Sequence, residues 1–234
     1  MTRLLCSVTT EQEALLALKL GADIIDLKNP SAGALGALPL ELVRQITQRV
    51  AGHRPVSATV GDLPMQASLV AEAVDDMAAT GVDLVKIGLF GQAGHAACIR
   101  ALAPAAARGI RLVAVLFADD APDFGLLPLL AQQGFHGVML DTARKNGRRL
   151  RHCLDEAALG DFVAASRSLG LLVGLAGSLA ETDIPELVRI DPDYLGFRGA
   201  LCRDADRTQV LDAGQVRQIH AVLHSCNMGA QEYA

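Results

Sequence analysis

Eight short apolar runs recur along this chain of 234 residues, with helix-spaced segments between them. They are Leu4–Val8, Asp23–Leu27, Pro55–Thr59, Leu84–Leu89, Leu112–Phe117, Gly137–Leu140, Leu171–Leu175 and Tyr194–Phe197. Each is aliphatic or β-branched and ends in turn residues, as strands buried on both faces of a parallel sheet do. Helical spacing predicts helices over Thr10–Leu20, Leu38–Val50, Met65–Thr80, Ala93–Ala107, Glu156–Leu169, Ala180–Ile190 and Asp212–Leu223. Gly21, Gly81, Gly109, Gly134 and Gly170 each stand between a helical segment and the next strand, where a helix ends in the left-handed conformation.

Eight such units in one chain of this length predict an α/β fold, a single-domain (β/α)8 TIM barrel, a form that usually takes roughly 250 residues. The alternative is a doubly wound open sheet. That fold carries a glycine-rich first turn for nucleotide phosphates, and the first turn here, Val8-Thr9-Thr10-Glu11, has no glycine. No break in composition marks a second domain. The barrel is expected over residues 1–226, with the small polar residues 227–234 a loose tail.

Composition narrows the function classes. Hydrophobic residues make up 51% and aromatics 3%, so the core must be aliphatic and base-stacking surfaces are not expected. A net charge of −5 argues against a nucleic-acid partner. The five cysteines are odd in number and lack metal or redox spacing, which suits a reducing cytoplasm. No targeting or membrane-spanning segment is read, so no membrane partner is expected. A homo-oligomer acting on a small phosphorylated molecule is expected.

In a barrel, chemistry sits where strands end. Asp26 and Lys28 share a face at the end of the second run. Lys86 lies within Asp83-Leu84-Val85-Lys86-Ile87-Gly88-Leu89, flanked by apolar residues. A lysine there either snorkels outward or points inward with a shifted pKa. Two inward lysines would depress each other's pKa and favour a neutral, nucleophilic amine. Asp141 closes the sixth run, with Lys145 four residues on. Gly177-Ser178 and Arg198-Gly199 follow the seventh and eighth runs, where barrels bind phosphate through backbone N–H groups; Arg198 could add a forked donor. The histidines do not cluster, and Cys202 has none placed to activate it. These features suggest lysine-dependent carbonyl chemistry on a phosphorylated small molecule. Another Schiff-base aldolase and a non-catalytic phosphometabolite-binding barrel remain alternatives.

Several motifs together resemble one family. They are Asp23-Ile24-Ile25-Asp26-Leu27-Lys28-Asn29-Pro30, Gly33-Ala34-Leu35-Gly36-Ala37, Val56-Ser57-Ala58-Thr59-Val60-Gly61-Asp62, Val85-Lys86-Ile87-Gly88-Leu89, Gly137-Val138-Met139-Leu140-Asp141-Thr142-Ala143, Gly174-Leu175-Ala176-Gly177-Ser178-Leu179 and Gly196-Phe197-Arg198-Gly199-Ala200-Leu201-Cys202. The family is (5-formylfuran-3-yl)methyl phosphate synthase. The resemblance implies a TIM barrel that condenses two glyceraldehyde 3-phosphate molecules into a furan aldehyde phosphate, an early intermediate of methanofuran. It implies Lys28 as the Schiff-base lysine, Lys86 as proton donor and acceptor, and Asp26, Asp141 and Lys145 as supporting groups. It implies no metal or organic cofactor. Which of Lys28 and Lys86 is neutral in the resting enzyme stays open.

Overall fold

Strand β1 (Arg3–Val8) pairs with both β2 (Ile24–Leu27) and β8 (Tyr194–Phe197), closing a parallel barrel in a computed structural model that describes residues 1–144 and 147–231. The intervening strands are β3 (Val56–Thr59), β4 (Leu84–Gly88), β5 (Leu112–Phe117), β6 (Gly137–Asp141) and β7 (Leu172–Leu175). They stand in sequence order around the ring. The helices are α1 (Glu11–Lys19), α2 (Leu40–Val50), α3 (Ala67–Ala78), α4 (His95–Ala101), α5 (Ala103–Ala107), α6 (Leu127–Gln132), α7 (Glu156–Ser168), α8 (Ile184–Arg189) and α9 (Ala213–Gln231). The fold is the expected (β/α)8 TIM barrel, and every strand bound falls within one residue of its apolar run.

Side-chain alternation sorts the core into two bodies. Leu5, Ile24, Leu84, Val113, Val115 and Met139 fill the inside of the ring. Their neighbours in sequence, among them Leu4, Ile25, Val85 and Val138, point outward against the helices. Helix α2 shows the matching face: Val43, Ile46 and Val50 are buried three to four residues apart. Local chemistry sets the ends. The Thr10 hydroxyl caps α1 by accepting from Glu13 N–H at 3.2 Å, and Asp155 caps α7 by accepting from Ala158 N–H at 2.9 Å. The five glycines before strands have φ between 74° and 92°.

Three details differ from the expectation. The helix predicted over 93–107 is two, because Pro104 has no N–H to continue the ladder of α4. A short helix, α6, lies between β5 and β6, where the spacing predicts none. The last helix continues past residue 226 to Gln231, so the tail expected from residue 227 is helical through that point. Asn227 explains the extension. It is buried, accepts from Thr2 N–H at 2.9 Å and donates to Thr2 O at 2.8 Å, tying α9 to the start of β1. Among the described residues, no helix is long and apolar enough to cross a membrane.

Candidate active site

Asp26 ends the inward face of β2, fully buried. The parallel register aligns it with Ser7 of β1 on one side and Ser57 of β3 on the other. Both hydroxyls donate to it, Ser7 to Oδ2 at 2.8 Å and Ser57 to Oδ1 at 2.6 Å. Lys86 of β4 points into the barrel, not outward, and its Nζ lies 2.7 Å from Asp26 Oδ1. A carboxylate so placed makes three charge-assisted contacts, which burial strengthens.

Lys28 stands one residue beyond β2 on the same face as Asp26. Its Nζ reaches across the barrel to Oδ2 of Asp141, at the end of β6, at 3.5 Å. Thr142 N–H donates to the other oxygen, Oδ1, at 2.7 Å. Each lysine therefore faces its own carboxylate, and all four side chains are buried. The electrostatics follow from crowding. Burial depresses the Lys86 pKa, the Asp26 charge opposes that, and the Lys28 charge adds to it; the net direction is down. Burial alone would raise Asp26, but the Lys86 and Lys28 charges and the hydrogen bonds hold it below its usual value.

These groups open into one cavity of about 390 Å³, which Gly177, Ser178 and Gly199 also line. Gly177 has φ +111° and Ser178 φ +53°, so the backbone after β7 turns through the left-handed region at two successive residues. A serine there carries strain of the kind found at ligand-binding turns. Lys145 lies outside the described residues.

Arg198 lines the cavity too, but its guanidinium is committed to the protein. Nε–H donates to Arg207 O at 2.9 Å; Nη1 donates to Glu13 Oε2 at 2.6 Å and Ser7 O at 3.2 Å; Nη2 donates to Glu13 Oε1 at 3.3 Å and Gln209 O at 2.8 Å. Those contacts engage all five of its N–H donors, so the fork expected to grip phosphate instead braces the loop after β8. Glu13 also accepts from Thr9 N–H and Leu211 N–H, and burial, which would raise its pKa, is outweighed by Arg198.

Ser7, Glu13 and Arg207 are the site residues that sequence reasoning misses. Alternation from Leu5 would have placed Ser7 inward; Glu13 reads as an ordinary first-turn acid; Arg207 follows no strand end. Cys202 donates its thiol to Arg198 O at 3.1 Å, and burial pushes its pKa to about 11, unsuited to a nucleophile. Among the described residues, no group of three or more His, Cys, Asp or Glu is placed to hold a metal.

Fold and site together define a closed (β/α)8 barrel with one cavity lined by buried lysines and carboxylates. A family model described as 4-HFC-P synthase matches residues 4–220. A relative from Methylorubrum extorquens is 49% identical over 216 residues, 92% of this chain and 89% of its own. One from Methanopyrus kandleri, named (5-formylfuran-3-yl)methyl phosphate synthase, is 39% identical over 88% of this chain and 92% of its own. The chain belongs to the 4-HFC-P synthase family. In fold, it is similar to the crystal structure of 3-hexulose-6-phosphate synthase from Salmonella typhimurium, with a TM-score of 0.69 at 18% identity, covering 96% of this chain and 100% of the other.

Proposed function

We propose that the enzyme condenses two molecules of glyceraldehyde 3-phosphate into (5-formylfuran-3-yl)methyl phosphate through an imine on Lys28. The observation that carries this reading is the pair of buried lysines in one cavity, each against its own carboxylate. Lys28 attacks one aldehyde carbon, and water leaves as the imine forms. Asp141, 3.5 Å from Lys28 Nζ, would take the proton released as the amine bonds to carbon. The imine withdraws electrons, so the adjacent carbon releases a proton and becomes an enamine nucleophile. That carbon bonds to the aldehyde carbon of the second molecule, whose oxygen takes up a proton. Lys86, its pKa depressed by burial, is suited to accept and return protons, with Asp26 fixing its position. Lys145 is proposed as a further basic group. Ring closure and hydrolysis of the imine, with net loss of one phosphate and two waters, balance the atoms of the furan product.

The turns at Gly177, Ser178 and Gly199 suit a substrate phosphate, since small residues let the backbone approach an anion. Arg198 supports that region as a brace. The product would enter methanofuran synthesis, and cytoplasmic action on a soluble metabolite fits this reading. Borohydride with glyceraldehyde 3-phosphate should trap an adduct on Lys28, Lys28→Ala should abolish it, and mass spectrometry should find the furan. An adduct on Lys86 would reverse the two roles; no adduct would end the imine mechanism.

A further inference from the structure

We propose that Arg207 grips one of the two substrate phosphates, that of the molecule held on Lys28, and that the buried Glu13–Arg198 pair is the brace that aims it. This rests on the two-phosphate reading above. Two phosphorylated molecules must enter one cavity, and the turns after β7 and β8 suit one phosphate.

Arg207 lines that cavity with Lys28 and Asp141 and is half-buried. Among the described residues its hydrogen bond to protein is Nη2–H to Gly33 O, at 2.7 Å. Gly33 lies on the loop that follows Lys28. The guanidinium therefore spans from the loop after β8 to the loop after β2, on the opposite side of the β8 loop from the Gly177–Ser178 turn. An arginine keeps its charge when half-buried, and its planar fork matches phosphate oxygens.

The main chain around Arg207 is held from below. Arg198 donates to the carbonyl of Arg207 itself and to that of Gln209 two residues on. Arg198 is fixed in turn by both oxygens of Glu13, and Glu13 also takes Leu211 N–H at 3.0 Å. A buried ion pair contributes little net stability, because desolvation offsets its attraction; its best-attested use is to fix geometry. Here, the geometry fixed is that of the half-buried Arg207 cation in the cavity wall. From the other side, Asp62 accepts Ala34 N–H at 2.8 Å and Leu35 N–H at 2.7 Å, so the Gly33 carbonyl that Arg207 leans on is itself set.

The test measures borohydride-trapped adduct on Lys28 against concentration, with glyceraldehyde 3-phosphate and with unphosphorylated glyceraldehyde. Arg207→Ala should raise the half-saturating concentration of the phosphorylated aldehyde about 10- to 100-fold, the loss of a charged hydrogen-bond pair, and that of glyceraldehyde by less than about threefold. Arg207→Lys should recover part of the loss. Arg198→Lys should weaken the phosphorylated aldehyde alone, yet add nothing in an Arg207→Ala background. Equal shifts for both aldehydes, or none for either, would overturn the assignment. If the wild-type chain traps neither aldehyde, the imine reading fails; calorimetry with inorganic phosphate then decides on Arg207. Two phosphate sites per chain falling to one in Arg207→Ala would support it, and an unchanged number would refute it.

Discussion

Lys86 Nζ lies 2.7 Å from Asp26 Oδ1 inside the barrel, with both side chains buried. Such a pair is stable only while both partners are present, because either charge alone would be left in a poor dielectric. Asp26→Asn should therefore make Lys86 shed its proton more readily. The basic limb of the kcat/KM profile should move to lower pH, and urea unfolding at neutral pH should show a loss of up to about 3 kcal/mol. A basic limb that stays in place would mean Lys86 does not set it.

Lys86→Met separates the two lysines by role. With Lys28 intact, borohydride should still trap an imine, while furan formation falls by at least about 100-fold for want of a proton carrier. A variant that makes furan at the wild-type rate would remove Lys86 from the mechanism.

Ser57→Ala takes one hydroxyl from Asp26 Oδ1. That hydrogen bond helps hold the carboxyl pKa down, so its loss raises the Asp26 pKa. The acid limb of the profile should shift upward, and stability should fall by about 1 kcal/mol. Nuclear magnetic resonance titration of the Asp26 carboxyl carbon gives the direct reading, and no change would contradict the role given to Ser57.

Acid should unfold the barrel through Asp26 and Glu13, both lowered in the folded state from ordinary values of 3.8 and 4.5. A depressed carboxyl contributes stability that is complete above the unfolded pKa and is lost as pH falls through the folded one. Denaturant midpoints should hold steady from pH 7 to about 5 and then drop. Glu13→Gln should lower the plateau and flatten the drop; an identical slope in the variant would exclude Glu13 as a source.

Asn227→Ala should cost about 2 kcal/mol, because two buried hydrogen bonds to the Thr2 backbone are lost and Thr2 N–H is left without its acceptor. Turnover should be unaffected, as neither Asn227 nor Thr2 lines the cavity. Thermal melting checks this, and an unchanged Tm would mean that the Asn227–Thr2 bonds contribute nothing to stability.

These residues also show what a sequence can and cannot reveal. The strands are plain because each is a self-contained apolar run, and their order around the ring needs no further information than their order in the chain. Alternation put Asp26 and Lys28 on one face for the same local reason, but whether Lys86 points inward or snorkels outward is decided only by its contact with Asp26. Helix α6 is hidden because Gly125 and Pro128 lie at its start and read as a loop. The role of Arg198 is hidden for another reason: its partner Glu13 is 185 residues away in sequence, and no local rule connects an acid in the first helix with a base after the last strand. A glycine-flanked arginine looks like a phosphate fork until that partner is seen.

The same long separation governs when the enzyme becomes competent during synthesis. Glu13 leaves the ribosome early and waits, a buried-site acid without its base, until Arg198 and then Leu211 have emerged. Lys28 and Lys86 are made well before, but the arginine-braced wall of their cavity is among the last parts to appear. A nascent chain stalled before residue 198 would carry both lysines and no finished pocket, so the cavity that encloses them exists only once the ring has closed.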